Sequence, residues 1–351
     1  MNLYLAKRFE SLDSDIWSMI SKIDEMKGYW TAGVNLSPQV LGRLKKSVLA
    51  TSTGASTRIE GAHLSDEDVE RFMRGISMQK FSNRDEQEVK GYYELLQNVF
   101  DSWEHIRFSE NTIKHFHKEL LKYAEKDVLH RGEYKKGENK VHMINAAGES
   151  VGTLFDTTPA YLTPKEMLEL VDVTVLAFSE GTYHPLLITA NFVVEFLNIH
   201  PFQDGNGRLS RILTNLLLLK HGYIYVPYVS HEKLVEDNKI EYYLALRKSQ
   251  KTLKGPNPDI KDWLEFFLNT MLTQSALAID LLSAENIEVL LSGKQMEVWH
   301  YLLEVNEAAP KEIMERTGIV RPTLNQVLTK LQNMKKIERL GQGRATRYRV
   351  I

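Results

Sequence analysis

The chain has 351 residues, 43% hydrophobic and 26% charged, which is the balance of an ordinary globular protein with two or three domains. It contains no cysteine, which excludes disulfides and thiolate metal sites and fits a reducing compartment. The net charge of −2 hides a polarity: residues 321–351 carry three Lys and five Arg against one Glu, a net of +7, leaving −9 on residues 1–320. A basic block on an otherwise acidic chain points to a separate C-terminal module with its own partner.

The N-terminus, Met1 to Arg8, has no signal-like apolar run. The longest apolar block, Ile212 to Leu219, is interrupted by Thr214 and Asn215 and is too short to span a bilayer. A cytoplasmic protein with no membrane association is the expectation.

In chain order, the first third reads as helices. Asn35 to Ala50 is expected to be helical and to end in a Thr/Ser/Gly-rich turn at Thr51 to Ser56. Ser65 is a cap candidate, with Asp66, Glu67 and Asp68 in the first turn it opens, where acidic residues suit the helix dipole. From Asp85 to Phe100 the apolar residues Val89, Tyr92, Leu95, Leu96 and Val99 keep a helical period. Ser109 is placed to cap a helix from Glu110 to Tyr123. Lys140 to Ile144 and Val151 to Phe155 then read as a β-hairpin around Asn145 to Gly148, an exception in a helical chain. Thr163 is expected to cap a helix from Pro164 to Phe178, and an almost wholly apolar helix from Pro185 to Ile199 follows.

Next comes His200-Pro-Phe-Gln-Asp-Gly-Asn-Gly-Arg-Leu-Ser-Arg211, ahead of a second apolar helix, Leu209 to Lys220, which Gly222 is placed to end. A loop opening a helix presents free N–H groups and the positive end of a dipole, both suited to phosphate. Gly205 and Gly207 let backbone approach an anion closely. Arg208 and Arg211, at i and i+3, share a helix face and can clamp phosphate oxygens. Asp204 offers a hard oxygen ligand suited to magnesium. His200, ordinarily titrating near 6.5, can accept a hydroxyl proton at neutral pH. Together these features describe a nucleotide polyphosphate site with a base beside it.

This loop resembles the signature of the Fic (Fido) proteins, His-x-Phe-x-Asp/Glu-Gly-Asn-Gly-Arg-x-x-Arg, at every fixed position: His200, Phe202, Asp204, Gly205, Asn206, Gly207, Arg208 and Arg211. The resemblance implies transfer of AMP from ATP to a Ser, Thr or Tyr hydroxyl of a protein, the chain itself included, with ATP as substrate and Mg2+ as cofactor. It casts His200 as base, Asp204 as metal ligand, residues 205–211 (Leu209 and Ser210 with them) as the phosphate cradle and Phe202 as a core anchor. Upstream, Ser56-Thr-Arg-Ile-Glu60-Gly61 is similar to the family's inhibitory helix motif. It implies that Glu60 pairs with Arg211 and occupies the space of the γ-phosphate. The hairpin resembles the family's flap, with Lys140, Val141, His142 and Met143 as the edge that holds the target chain by strand-like hydrogen bonds. In the flap's approach, Arg131 to Lys135, a lysine stands at 135 where an arginine is usual. The Tyr242-Tyr243 pair resembles the helix that walls the adenine, with Gln250 as a weaker contact to the base edge, and Trp263 to Leu272 is expected to close the domain.

In the basic module, Ser292 to Gln295 is a capping-box pattern opening a helix from Lys294 to Leu303, and Pro310 and Gly318 bracket a second. Pro322 opens a third, with Leu324, Val327, Leu328, Leu331 and Met334 on its apolar face. Ile337 to Leu340 and Arg347 to Ile351 alternate as strands around Gly341 to Arg344. Three helices and a two-stranded wing resemble a winged helix-turn-helix, with Arg321, Asn325, Lys330, Arg344 and Arg347 as candidate DNA contacts.

The expected fold is all-α: a Fic helical core with a hairpin flap and a small C-terminal winged helix. The expected division is residues 1–107, a helical region with the inhibitory motif; 108–275, the catalytic domain; and 290–351, the winged helix. The expected function is an adenylyltransferase autoinhibited by Glu60. The alternatives are a DNA-binding regulator with a nucleotide-sensing Fic domain, or transfer of UMP, phosphocholine or phosphate instead. DNA and a second copy of the chain are further candidate partners.

Overall fold

The computed structural model describes residues 3–9, 12–34, 36, 38–62, 64–75, 84–144, 150–290, 292–333, 336–341, 343 and 346–351. Two compact units emerge, Met1–Asp280 and Leu281–Ile351. The described elements are almost all helical, as the apolar periodicity predicts.

The first unit begins with α1 (Leu3–Phe9), α2 (Ser14–Gly33), α3 (Pro38–Ile59), α4 (Asp66–Gly75), α5 (Arg84–Ser102) and α6 (Glu110–Leu120). After the hairpin β1 (Lys140–Ile144) and β2 (Ser150–Asp156) come α7 (Thr163–Glu180), α8 (Pro185–Ile199), α9 (Asn206–Lys220), α10 (His231–Asp237), α11 (Lys239–Leu253) and α12 (Lys261–Leu290), the last belonging to this unit as far as Asp280. Among the described residues, no helix is long and apolar enough to cross a membrane.

At the centre lies α8, mostly apolar and buried all round from Leu186 to Ile199. Each fully buried Leu, Ile or Phe side chain there contributes about 1.5–3 kcal/mol. Helices α7, α9 and α11 pack around it, and α9 in turn packs on α3, α5 and α6. The polar residues of α8 have partners: buried Arg8 of α1 reaches Asn191 at 2.6 Å and Glu195 at 2.5 Å. Ring and hydroxyl contacts also close the core, with Trp263 Nε1 donating to the Ala190 carbonyl at 2.7 Å.

Three expectations are corrected here. Thr51 to Ser56 is not a turn, because α3 runs unbroken to Ile59. Its small residues are buried, and Thr53 and Thr57 donate back to the Leu49 and Thr53 carbonyls at 2.7 and 2.9 Å, so hydroxyls that favour turns elsewhere are satisfied within the helix. The helix capped by Ser109 stops at Leu120 rather than Tyr123. Thr163 lies inside α7, with Leu162 in the cap position.

In the hairpin, β1 and β2 are antiparallel, pairing Lys140 with Asp156, Val141 with Phe155, His142 with Thr153 and Met143 with Gly152. The register shifts between Val141 and His142 and again between Met143 and Ile144. Asn145 to Gly148, read as its turn, lie outside the described residues.

The second unit holds α13 (Gly293–Val305), β3 (Glu307–Ala308), α14 (Pro310–Thr317), α15 (Arg321–Asn333), β4 (Ile337–Leu340) and β5 (Arg347–Val350). Its core gathers Val298, Trp299, Leu302, Ile313, Leu324, Val327, Leu328, Leu331 and Ile337. The strands form an antiparallel sheet in the order β3-β5-β4. The third strand, β3, is missed by periodicity because two residues are too few to show alternation. Met334 and Arg344 lie outside the described residues.

Candidate active site

The loop between α8 and α9 is fixed from beneath. Phe202 is fully buried, and the His117 ring of α6 stacks on it at 3.8 Å with 10° between the planes. His117 also holds the loop by hydrogen bonds, Nε2 donating to the Asp204 carbonyl at 3.0 Å and Nδ1 accepting from Gly132 N–H at 2.9 Å. Burial lowers the His117 pKa to about 4; the bond to the Asp204 carbonyl opposes the shift, and the nearby Arg208 charge adds to it. Asn206 is not turned towards an anion. Its amide accepts from Phe202 N–H at 3.0 Å and donates to Phe202 O at 2.8 Å, stapling the turn.

His200 ends α8 with φ 52° and ψ 61°, a left-handed conformation unusual for a residue with a Cβ. Its Nδ1 faces the Leu197 carbonyl at 3.4 Å, which favours the tautomer whose Nε2 carries the free lone pair. Burial brings the His200 pKa down to about 4; the Leu197 carbonyl opposes this and the Lys135 charge reinforces it. The ring is therefore neutral and ready to accept a proton at physiological pH.

The two signature arginines are engaged separately. Arg208 Nη1 lies 2.6 Å from Glu88 Oε2 of α5, and its Nη2 lies 3.0 Å from Asp204 Oδ2. Asp204 Oδ1 in turn accepts from Gly205 N–H at 2.7 Å, with Gly205 at φ 80°. Arg211 Nε donates to Ser56 Oγ at 2.8 Å, and its Nη2 donates to the Ser56 carbonyl at 2.9 Å and to Glu60 Oε1 at 2.7 Å. Burial alone would lower the Arg211 pKa, but the Glu60 carboxylate, with Tyr242 and Tyr92, raises it overall. The Glu60 carboxylate also lies over the loop: a Cβ added at Gly207 would meet Oε1 at 2.2 Å. Gly61, at φ 103°, turns the chain away immediately afterwards.

Behind Arg211 sits a second carboxylate. Fully buried Glu232 accepts from Tyr92 OH at 2.8 Å and from Asn215 Nδ2 at 2.5 Å, and Asn215 also donates to the Arg211 carbonyl at 3.0 Å. The end of α3 is clamped too: Arg58 Nε and Nη2 reach the two oxygens of Glu236 at 2.6 and 3.0 Å.

Sequence reasoning brought His200, Asp204, Arg211 and Glu60 together and missed Glu88, His117, Tyr92 and Glu232. Nothing next to Glu88 in sequence marks it, since Arg84 and Asp85 share its stretch of α5. The tyrosines separate. Tyr242 is buried against Trp263 and Phe266, while Tyr243 is half-buried with its hydroxyl 3.4 Å from the Ile59 carbonyl. Leu209 and Gln250 are buried, and Ser210 Oγ donates to Gly207 O. In the second unit Arg347 does not extend outward, because it pairs with Glu307 at 2.7 Å and Glu312 at 3.1 Å. Lys330 donates to Gln295 at 3.0 Å, while Arg321 and Asn325 are exposed on α15.

A Fic/DOC family model matches residues 107–218, and the model of the C-terminal domain of DIP2311-like transcriptional regulators matches residues 294–351. A probable protein adenylyltransferase of Aquifex aeolicus is 23% identical over 210 residues, 59% of this chain and 59% of its own length. A Fido domain-containing protein of Dictyostelium discoideum is 33% identical over 99 residues, 26% of this chain and 62% of its own length. The aligned regions thus span 59% and 62% of these relatives. In fold, the chain is similar to a Fic family protein of Desulfovibrio desulfuricans, with a TM-score of 0.64 at 23% identity over 97% of each chain. The chain therefore carries a Fic/DOC-family domain, followed by a C-terminal domain of the DIP2311-like regulator type.

Proposed function

We propose that this chain transfers AMP from ATP to a protein hydroxyl and that Glu60 holds the activity in check. The observation that carries this reading is the Arg211–Glu60 pair at 2.7 Å beside a neutral His200. A carboxylate there satisfies the guanidinium and repels the terminal phosphate of a bound triphosphate. With Glu60 withdrawn, Arg211 takes the γ-phosphate and the α-phosphate lies in line with the incoming hydroxyl. His200 Nε2 accepts the hydroxyl proton as the oxygen–phosphorus bond forms. The bond from the α-phosphorus to the bridging oxygen breaks, and pyrophosphate leaves.

A magnesium ion on a triphosphate takes one or two carboxylates from a protein and further oxygens from the phosphates. Asp204 is the side chain that would hold it, and the ion when bound would neutralise charge on the phosphates. The flap edge Lys140 to Met143 is the proposed place for the target's chain, and Tyr243, beside the end of α3, is better placed than Tyr242 to meet the adenine. Intact-mass measurement of the purified chain and of a lysate after incubation with Mg-ATP tests the reading. The Glu60→Gly variant should produce adducts of one AMP. Adducts only with UTP, a phosphocholine donor or phosphate mass would reassign the transferred group, and no adduct from any donor sinks the transferase reading.

A second reading concerns the C-terminal unit, as a winged helix that binds DNA. It is favoured by the exposed α15 face, with Arg321, Asn325, Gln326 and Thr329, and by the net charge of +7 over residues 321–351. Mobility shift across a salt series should show affinity falling steeply as salt rises. Equal mobility with and without DNA at low salt removes it.

A further inference from the structure

Four consecutive backbone carbonyls flank and include the base, and all four are engaged from the approach to the hairpin. Lys135 Nζ donates to the Ile199 carbonyl at 3.0 Å, and Lys135 N–H donates to the Pro201 carbonyl at 2.9 Å. Asn139 Nδ2 donates to the Phe202 carbonyl at 2.9 Å and lies 3.5 Å from the His200 carbonyl. The same two side chains meet the hairpin's far foot. Lys135 Nζ donates to Asn139 Oδ1 and to Thr157 Oγ1, both at 2.8 Å. The Thr157 hydroxyl lies 2.8 Å from the Asn139 carbonyl and 2.6 Å from its Oδ1, donating to one at a time. Asn139 directly precedes β1 and Thr157 directly follows β2.

We propose that Lys135 and Asn139 are positioning residues that fix the backbone of residues 199–202, and hence the His200 ring, and tie it to both feet of the hairpin. A left-handed His200 is strained and persists only where its surroundings over-determine it. The Lys135 ammonium is 5% exposed and has oxygen partners for all three of its protons, so it is neither a spare charge nor a surface lysine. An ammonium placed on the last carbonyl of α8 is also favoured by the negative end of that helix dipole. Lys135 touches no group assigned to ATP, so it should act on turnover through His200 and leave nucleotide affinity alone.

The proposal rests on the transferase reading only for its kinetic test, so it needs one measurement of each kind. In the Glu60→Gly background, Lys135→Met should lower kcat for AMP incorporation by ~10- to 10²-fold, the reach of a misplacement near 1 Å. The KM for ATP should stay within about twofold, and Lys135→Arg should restore most of kcat by returning charge and donors. Asn139→Ala should act in the same direction. The second measurement needs no turnover: the His200 ring resonances should move in Lys135→Met and return in Lys135→Arg. If the Glu60→Gly parent transfers nothing, the transferase reading has failed, and the ring resonances alone decide the positioning claim. Unmoved resonances, an unchanged kcat in an active parent, or a parallel loss of kcat and ATP affinity would overturn it.

Discussion

The loop from His200 to Arg211 and the helix end from Ser56 to Gly61 meet at Arg211, yet they are held in different ways. The loop is enclosed: Phe202 is buried under a stacked imidazole, Asn206 staples its own turn, and Arg208 is locked to a Glu88 side chain that is 10% exposed. The helix end places Glu60 on Arg211 with its carboxylate 34% exposed. Arg211 itself is only 4% exposed, so the pair joins a solvent-facing carboxylate to a buried guanidinium that Ser56 also holds. Removing the first set should damage the machinery, whereas removing Glu60 should leave the machinery standing. The carboxylate that blocks the site is thus far more open to solvent than the Glu88 carboxylate that locks Arg208.

The largest effect should come from inside the loop. In the Glu60→Gly background, His200→Ala should lower AMP incorporation by ~10²-fold or more while ATP affinity, read by calorimetry, stays close to that of the parent. Because burial holds the His200 pKa near 4, kcat/KM should not fall through pH 6.5 as an unperturbed histidine would require. A base-dependent decline centred at 6.5 would show that the ring is solvated in the free enzyme.

Phe202→Ala separates anchoring from chemistry. Truncating a fully buried Phe costs about 3–5 kcal/mol, and here it also removes the ring on which His117 stacks. Urea unfolding of the variant should show a loss of that size, and a loss under ~1 kcal/mol would mean that the loop is held mainly by its polar staples.

His117 adds a smaller, pH-dependent term. Its pKa in the folded chain is about 4 against an ordinary 6.5, so between those values the unfolded chain binds more protons. Its stabilising neutral state is fully present above pH 6.5 and is lost as the pH falls towards 4, by about 2 kcal/mol at pH 5. His117→Gln keeps a donor and an acceptor without titrating, so unfolding at pH 7 and pH 5 should differ less than in the parent. An unchanged pH slope would assign the acid sensitivity elsewhere, with His221, lowered by burial to about 4, the next candidate.

The same contrast explains what the sequence made legible. The loop's chemistry is local, with base, metal ligand, glycines and arginines inside twelve residues, so spacing alone describes it. Helix α8 is equally plain, because a largely apolar run of that length has one interpretation. The partners that hold the loop come from α5, α6, α10 and the hairpin's feet, and neither Glu88, His117 nor Glu232 has a neighbour in sequence that announces its role. Thr51 to Ser56 misled for a related reason: the residue types favour a turn, and only the buried setting of α3 makes them helical. The pairing of Arg347 with Glu307 and Glu312 was not legible either, because those carboxylates are distant in sequence and near only in the folded unit.

The central claim is that Glu60, and not a defect in the loop, limits transfer. It is tested by comparing labelled-AMP incorporation at saturating Mg-ATP in the parent chain, Glu60→Gly, and Glu60→Gly combined with Arg211→Ala. Glu60→Gly should be faster than the parent by ~10- to 10²-fold, since restoring in-line geometry is worth about that much, and the double variant should lose the gain. A Glu60→Gly chain no faster than the parent would contradict the account and leave Ser56 to Gly61 as an ordinary helix end.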